Sequence, residues 1–235
     1  MEWYIVFDTG IFIDENRLKT VLESTAANIG RDVDEVVMRR APELLGRDEV
    51  QAILDMAEEK YPVVTGEVKS LLSLGSVRDI FRGLLSEHVS IRNLPVILET
   101  LADWGSFGPA PGEIVIEQIR LALKRQICQE YARGTNIKAL TLEPKLDERL
   151  ADRAMLHEGE EGLWDRCIDA FSPAIKGMEE NNLPPVIICS PGARTWVKEL
   201  TRKKFPGLAV LSYIEIPPDF NVEPVGEIRL SDGTF

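Results

Sequence analysis

Residues 71–103 read LLSLGSVRDIFRGLLSEHVSIRNLPVILETLAD, and this stretch decides the first half of the fold. Its apolar residues recur every three or four positions, which is the spacing of one helix face. The pattern predicts a helix over about Val77 to Glu87. Asn93 and Pro95 then predict the start of another helix, because Asn is a good N-cap and Pro is tolerated in a first turn.

Helical spacing continues on both sides of this stretch. Before it, a helix is predicted to carry Pro42 in its first turn and to end at Tyr61-Pro62. After it, a loop over Gly105 to Gly112 precedes a predicted helix from about Glu113 to Tyr131. We therefore expect a helical subdomain over residues 31–133.

The pattern changes after Gly134, where short apolar runs alternate with helical spacing. Ser190-Pro191-Gly192 is typical of a helix N-terminus, with Ser as the cap and Pro at the first helical position. Residues 134–235 are therefore predicted to form a small α/β subdomain. Its expected elements are strands at Ile137–Leu142, Val186–Cys189, Leu208–Ile216 and Val222–Leu230, and helices near 146–156, near 161–178 and from Ser190 to about Phe205.

Residues 3–13 are rich in β-branched and aromatic types and predict one or two short strands. The whole chain is thus expected to be α+β: a helical subdomain followed by a small α/β subdomain, with a short strand-forming region over residues 1–30.

Charge and composition limit the classes of partner. With 27 Lys and Arg against 39 Asp and Glu, the formal net charge is −12, which disfavours nucleic acid and anionic membrane surfaces. The three cysteines form no local metal or redox motif, so a reducing compartment is expected. No apolar run is long enough to span a bilayer, and the N-terminus does not resemble a signal peptide.

Two alternative functions follow from short motifs. Asp8-Thr9-Gly10 lies between apolar residues, like the loop that carries the catalytic carboxylate of aspartic proteases, so Asp8 is the candidate of a hydrolase hypothesis. The helix N-terminus at Ser190 is the candidate of a small-anion-binding hypothesis. The two histidines, His88 and His157, have no partner at metal-ligand spacing. We expect no metal, no cofactor and no enzyme activity.

Several segments together resemble one family, the major export-gate subunits of type III secretion, flagellar FlhA and injectisome SctV. The similarity runs from about residue 33 to 230. The motifs that carry it are Glu43-Leu44-Leu45-Gly46-Arg47-Asp48-Glu49-Val50-Gln51, the stretch from Leu71 to Asp103 with Val89-Ser90-Ile91-Arg92 at its centre, Arg120 through Ile127, and Val210-Leu211-Ser212-Tyr213-Ile214-Glu215-Ile216.

The resemblance implies a non-catalytic module of a protein-export machine. Residues 1–30 would be the remnant of a preceding subdomain of a protein anchored in the bacterial inner membrane, and this chain would lie at its cytoplasmic face. Family members form a homo-nonameric ring and receive export substrates, chaperones, gatekeepers and other export-apparatus proteins. We predict that charged residues of the helical subdomain make the ring contacts, namely Arg78, Asp79, Arg92 and Glu99.

Overall fold

The computed structural model describes residues 4–6, 12–14, 42–108, 110–152 and 163–230. The chain divides into two compact units, Met1–Leu123 and Lys124–Phe235. The first is mainly helical and the second combines helices with a sheet, so the expected α+β class is confirmed. The subdomain boundary after residue 133 stays a prediction, and the compact units divide after Leu123.

The first unit begins with the two short strands expected from residues 3–13, which pair antiparallel. Helices then form the rest of its described part, and each buries one apolar face. On the third helix, Val77, Phe81 and Leu84 are at most 1% exposed, which confirms the predicted stripe. Burying each such side chain contributes on the order of 1.5–3 kcal/mol. The elements are β1 (Tyr4–Val6), β2 (Phe12–Asp14), α1 (Arg47–Lys60), α2 (Pro62–Leu71), α3 (Leu74–Ser86), α4 (Leu94–Ser106) and α5 (Gly112–Ala122).

Within Leu44-Leu45-Gly46-Arg47, residues 45–46 lie between a helical turn and α1, and both leucines are fully buried. Arg82 on α3 donates from Nε to the carbonyl of Leu45 at 2.7 Å. The Glu49 carboxylate accepts from the backbone N–H of Gly46, also at 2.7 Å. These bonds hold residues 45–46 out of the helix. The prediction of one helix from Pro42 is therefore wrong: a helical turn over residues 42–44 is followed by α1.

The end of α3 is a Schellman motif. His88 takes a left-handed backbone conformation with φ of 61°. Its N–H donates to the carbonyl of Leu85, and the N–H of Val89 donates to the carbonyl of Leu84. Val89 and Leu84 are both buried, which is the apolar contact that accompanies this cap. The motif stops α3 and directs the chain toward α4.

A buried ion pair joins the end of α3 to α5. Arg120 Nη1 lies 3.0 Å from Glu87 Oε2, and the two side chains are only 3% and 16% exposed. Leaving either charge buried without its partner would cost several kcal/mol. The pair therefore fixes how α5 lies against α3.

Some helix boundaries and one cap differ from the predictions. Pro62 does not only end α1: it also begins α2, because the first helical position needs no N–H. The predicted helix from Glu113 to Tyr131 is two helices that break at Leu123, whose backbone leaves the α-helical conformation with φ of −88° and ψ of 6°. Asn93 does precede α4, but its side chain makes no capping hydrogen bond.

The second unit is built around a mostly parallel sheet. Strand β4 lies between β5 and β7 and runs parallel to both, and β5 pairs parallel with β6. The short β3 pairs antiparallel with β4 through a turn in which Gly134 has φ of 68°, a conformation that glycine adopts without strain. The elements are α6 (Lys124–Tyr131), β3 (Ala132–Arg133), β4 (Asn136–Leu142), α7 (Pro144–Ala151), α8 (Leu163–Glu180), β5 (Val186–Cys189), α9 (Pro191–Thr201), β6 (Ala209–Ser212) and β7 (Asn221–Ile228).

The predicted strand Leu208–Ile216 is wrong in its second half. Strand β6 ends at Ser212, and residues Tyr213–Glu215 form a 3₁₀ turn. The cause is Glu215, whose carboxylate accepts from both the backbone N–H and the hydroxyl of Ser212, at 2.6 and 2.8 Å. Tyr213 and Ile214 are therefore exposed rather than part of the sheet.

Candidate interaction surface

A cleft of about 570 Å³ opens on the first unit between the end of α2 and helices α3, α4 and α5. Its volume lies within the range of protein binding pockets. Apolar side chains dominate the lining, including Leu71, Ile80 and Trp104, and the described lining residues that carry charge, Asp79 and Glu113, are both acidic.

Exposed apolar side chains surround this cleft. Phe107, at the end of α4, is 84% exposed and packs only edge-on against Trp104, with ring centroids 6.3 Å apart. Leu71 and Ile114 are also substantially exposed. Single exposed apolar residues are common, but a group of them beside an apolar cleft is typical of an interaction site.

The α4–α5 segment, which we define as Asn93–Ile119, carries negative charge only. Its sequence contains four acidic residues and no Lys, Arg or His. Of these acids, Glu99, Asp103 and Glu113 are exposed. Two arginines lie on or against α3: Arg78 is paired with Asp79, and the guanidinium of Arg47 lies against Gly75. The exposed apolar residues Phe107 and Ile114 thus lie in acidic surroundings.

The four predicted ring residues all lie on the first unit. Arg78 donates from Nε and Nη2 to Asp79 Oδ1, at 2.9 and 2.7 Å, so these neighbours pair with each other. Arg92 is exposed just before α4, and Glu99 is exposed on α4. Asp79 alone among them lines the cleft. Their role in a ring stays a prediction.

The candidate sites of the two alternative hypotheses were Asp8 and Ser190. Asp8 lies outside the described residues. Ser190 caps α9 as predicted, its hydroxyl oxygen accepting from Ala193 N–H at 3.3 Å. However, its own N–H and hydroxyl both donate to the carboxylate of Asp147, at 3.0 Å to Oδ1. A carboxylate of the chain thus takes the place that an anion would need.

Other chemistry finds no support in the described parts of the chain. No group of three or more His, Cys, Asp or Glu side chains there is arranged to hold a metal ion. Cys128, Cys167 and Cys189 are free thiols and all are buried. Burial raises the pKa of the Cys167 thiol to about 11, so it is a poor nucleophile at neutral pH. Within the same residues, no helix has both the length and the apolar character that a bilayer span requires.

Comparison with known proteins identifies the family. The FHIPEP family matches residues 15–221, which include most of both units. The chain belongs to the FHIPEP family. This FHIPEP chain is 30% identical over 213 residues to the flagellar biosynthesis protein FlhA of Bacillus subtilis, covering 87% of this chain and 31% of that protein. It is 29% identical to the low calcium response locus protein D of Yersinia pestis, covering 83% of this chain and 29% of the relative.

Solved structures of related proteins have the same fold as this FHIPEP chain. The Chlamydia pneumoniae CdsV protein is similar over 92% of this chain and 65% of its own, with a TM-score of 0.73 and 25% identity. Nonameric SctV-C from EPEC is similar over 92% of this chain and 69% of its own, with a TM-score of 0.67 and 24% identity. The chain spans about a third of the length of the curated relatives it matches. The export-gate family expected from the motifs is confirmed.

Sequence reasoning missed the cleft in this FHIPEP chain. Gly105–Gly112 was predicted only as a loop, and α2, which supplies Leu71, was not predicted at all. Phe107 next to Gly108 was the available signal, because a large apolar residue in a polar or glycine-rich turn is often exposed. Periodicity alone could not place it near the cleft, since the cleft depends on how the helices pack.

Proposed function

We propose that this FHIPEP chain is the cytoplasmic part of a type III protein-export gate, at the cytoplasmic face of the bacterial inner membrane, and that it works without catalysis. The observation that carries the proposal is the family match over both compact units. The sequence similarity to the flagellar relative from Bacillus subtilis and the structural similarity to CdsV both support it. Because the chain covers only a third of its relatives, the gate as a whole includes parts that this chain does not supply.

The second part of the proposal is a homo-oligomeric ring, a nonamer by likeness to SctV-C of EPEC. In a closed ring each interface joins two different faces of the same subunit. Arg78, Asp79, Arg92 and Glu99 are the proposed charged contacts of these faces. Charge pairs at an interface set register and exclude wrong partners more than they add affinity. Arg78 pairs with Asp79 within one subunit, so substituting Arg78 would also break that pair.

The third part is docking of export substrates, chaperones or gatekeepers on the ring. Solved relatives include a complex of the Chlamydia pneumoniae CdsV and CdsO proteins, similar over 97% of this chain with a TM-score of 0.73 and 24% identity. For this chain, the apolar cleft with its acidic surroundings is the feature that supports docking.

The ring is tested by measuring molar mass with light scattering over a concentration series. We expect a species of about nine subunits at high concentration. Arg92→Glu should reduce the amount of this species. Lys176→Glu, also a charge reversal but at a 75% exposed position of α8, should not. A strict monomer at every concentration contradicts self-association of this chain. Equal effects of both variants contradict the proposed interface residues, and circular dichroism of each variant checks that it is folded.

A further inference from the structure

We propose that the cleft and the α4–α5 segment form a docking site for a basic amphipathic helix of a partner protein. The inference deepens the proposed docking role and rests on it for the kind of protein that carries the helix. It assigns the contact to one place on the first unit: apolar anchors enter the cleft beside Phe107, and basic residues of the partner face the acidic residues of the segment.

The shape of the site favours a helix as occupant. The cleft lies between helices and is lined by apolar side chains from all of them, which is the geometry of helix-in-groove recognition. The end of α2 packs closely against α4 at its edge, because a Cβ on Gly105 would lie only 3.2 Å from Leu71 Cβ. A groove formed by helices that are already packed binds without the cost of ordering its own backbone.

Two aromatic side chains provide the anchor points. Trp104 lines the cleft, and Phe107 extends from its edge with most of its surface in water. Burying an exposed phenylalanine against an apolar partner is favourable by the area it removes from water. Interface hot spots are usually a few such residues surrounded by polar ones.

Charge decides which helices fit. From Asn93 to Ile119 the segment has four acids and no base, so a partner helix with acidic flanks would be repelled along its length. A helix with Lys or Arg on either side of its apolar stripe would be attracted and correctly oriented.

The experiment uses two synthetic helical peptides of about five turns. They share one leucine-rich apolar face, and their polar faces carry Lys in one and Glu in the other. Binding of each labelled peptide to the full chain is measured by fluorescence anisotropy at low and high salt. Hydrogen exchange then locates the protected residues. We expect the Lys peptide to bind, the Glu peptide not to bind, and protection to appear at the cleft.

Matched variants separate the site from general attraction to an acidic protein. Phe107→Ser is expected to weaken the Lys peptide about tenfold, the size of a hot-spot effect. Val63→Ser alters a residue of equal exposure, 84%, on α2 and should have no effect. Glu113→Gln should weaken binding at low salt but not at high salt, because screening removes its contribution. Glu59→Gln, a matched change at another exposed carboxylate, should have less effect.

Three outcomes would overturn the proposal. One is equal binding of the two peptides or no binding at all. Another is an equal effect of Phe107→Ser and Val63→Ser, or protection confined to residues away from the cleft. The third is loss of the ring species in Phe107→Ser, measured by light scattering, because the cleft would then be covered by a second copy. None of these outcomes contradicts the ring itself, which Arg92→Glu tests separately.

Discussion

Arg120→Met is expected to destabilise the first unit by about 3 kcal/mol. The substitution keeps most of the apolar volume of the side chain but removes the guanidinium that lies 3.0 Å from the carboxylate of Glu87. Breaking a buried ion pair by removing one partner costs roughly 3–5 kcal/mol, since the other charge stays buried. Glu87 keeps 16% of its side-chain surface in water, so we take the lower end of that range.

The assay is urea denaturation combined with hydrogen exchange of the amides of α5. Exchange is needed because two compact units need not unfold together, and a single global transition would then have no clear meaning. The double variant Glu87→Gln with Arg120→Met should recover part of the loss, because no unpaired carboxylate is left behind. Recovery separates the electrostatic cost from any change in packing.

Arg125→Met is the matched control on the second unit. Arg125 donates to both oxygens of Asp219, at 2.7 and 2.8 Å, but both side chains are more than half exposed. Water and salt screen such a pair, so its loss should have a much smaller effect. If Arg125→Met costs as much as Arg120→Met, or if exchange in α5 is unchanged by Arg120→Met, the reasoning from burial is refuted.

Three further predictions use local features. Gly66→Ala should raise the free energy of unfolding by about 0.5–1 kcal/mol, because it lies inside a helix and a Cβ there meets nothing within 4 Å. Gly83→Ala should not stabilise the protein, because its Cβ would lie 2.2 Å from a methyl carbon of α5. Thermal melts in which both variants are equally stabilised would contradict this. Ser190→Ala should lower the free energy of unfolding by about 1 kcal/mol or more, because it removes an N-cap. Ser86→Ala, at the end of a helix, should lower it less. Chemical denaturation of the two variants compares these effects. Cys167, with its pKa raised to about 11 by burial, should react slowly with iodoacetamide at pH 8 and faster in urea; rapid labelling of the native chain would show that it is not buried.

Elements with a strong local pattern could be predicted closely. Strand Val186–Cys189 was predicted at its observed bounds, since all four residues are buried as a continuous apolar run suggests. The Ser190 cap was predicted too, because a cap acts within three residues of itself. His88 was expected just past its helix, and it is the left-handed residue of the cap.

Two of the incorrect predictions have the same cause, which is a contact between residues distant in sequence. The helix expected from Pro42 is interrupted because Arg82, 37 residues after Leu45, donates a hydrogen bond to the carbonyl of Leu45. The anion hypothesis at Ser190 failed because Asp147, 43 residues earlier, already lies there. Neither side chain differs in type or spacing from an ordinary solvated residue, so periodicity gives no sign of such bonds.

The α+β class, most helices and strands, and the export-gate family could be predicted from the sequence alone, because they depend on local periodicity and on motifs of contiguous residues. The cleft depends on tertiary packing. Its lining residues Leu71, Ile80, Trp104 and Val115 come from four different helices. A surface assembled from separate helices is a property of their packing, which no single stretch of the chain encodes.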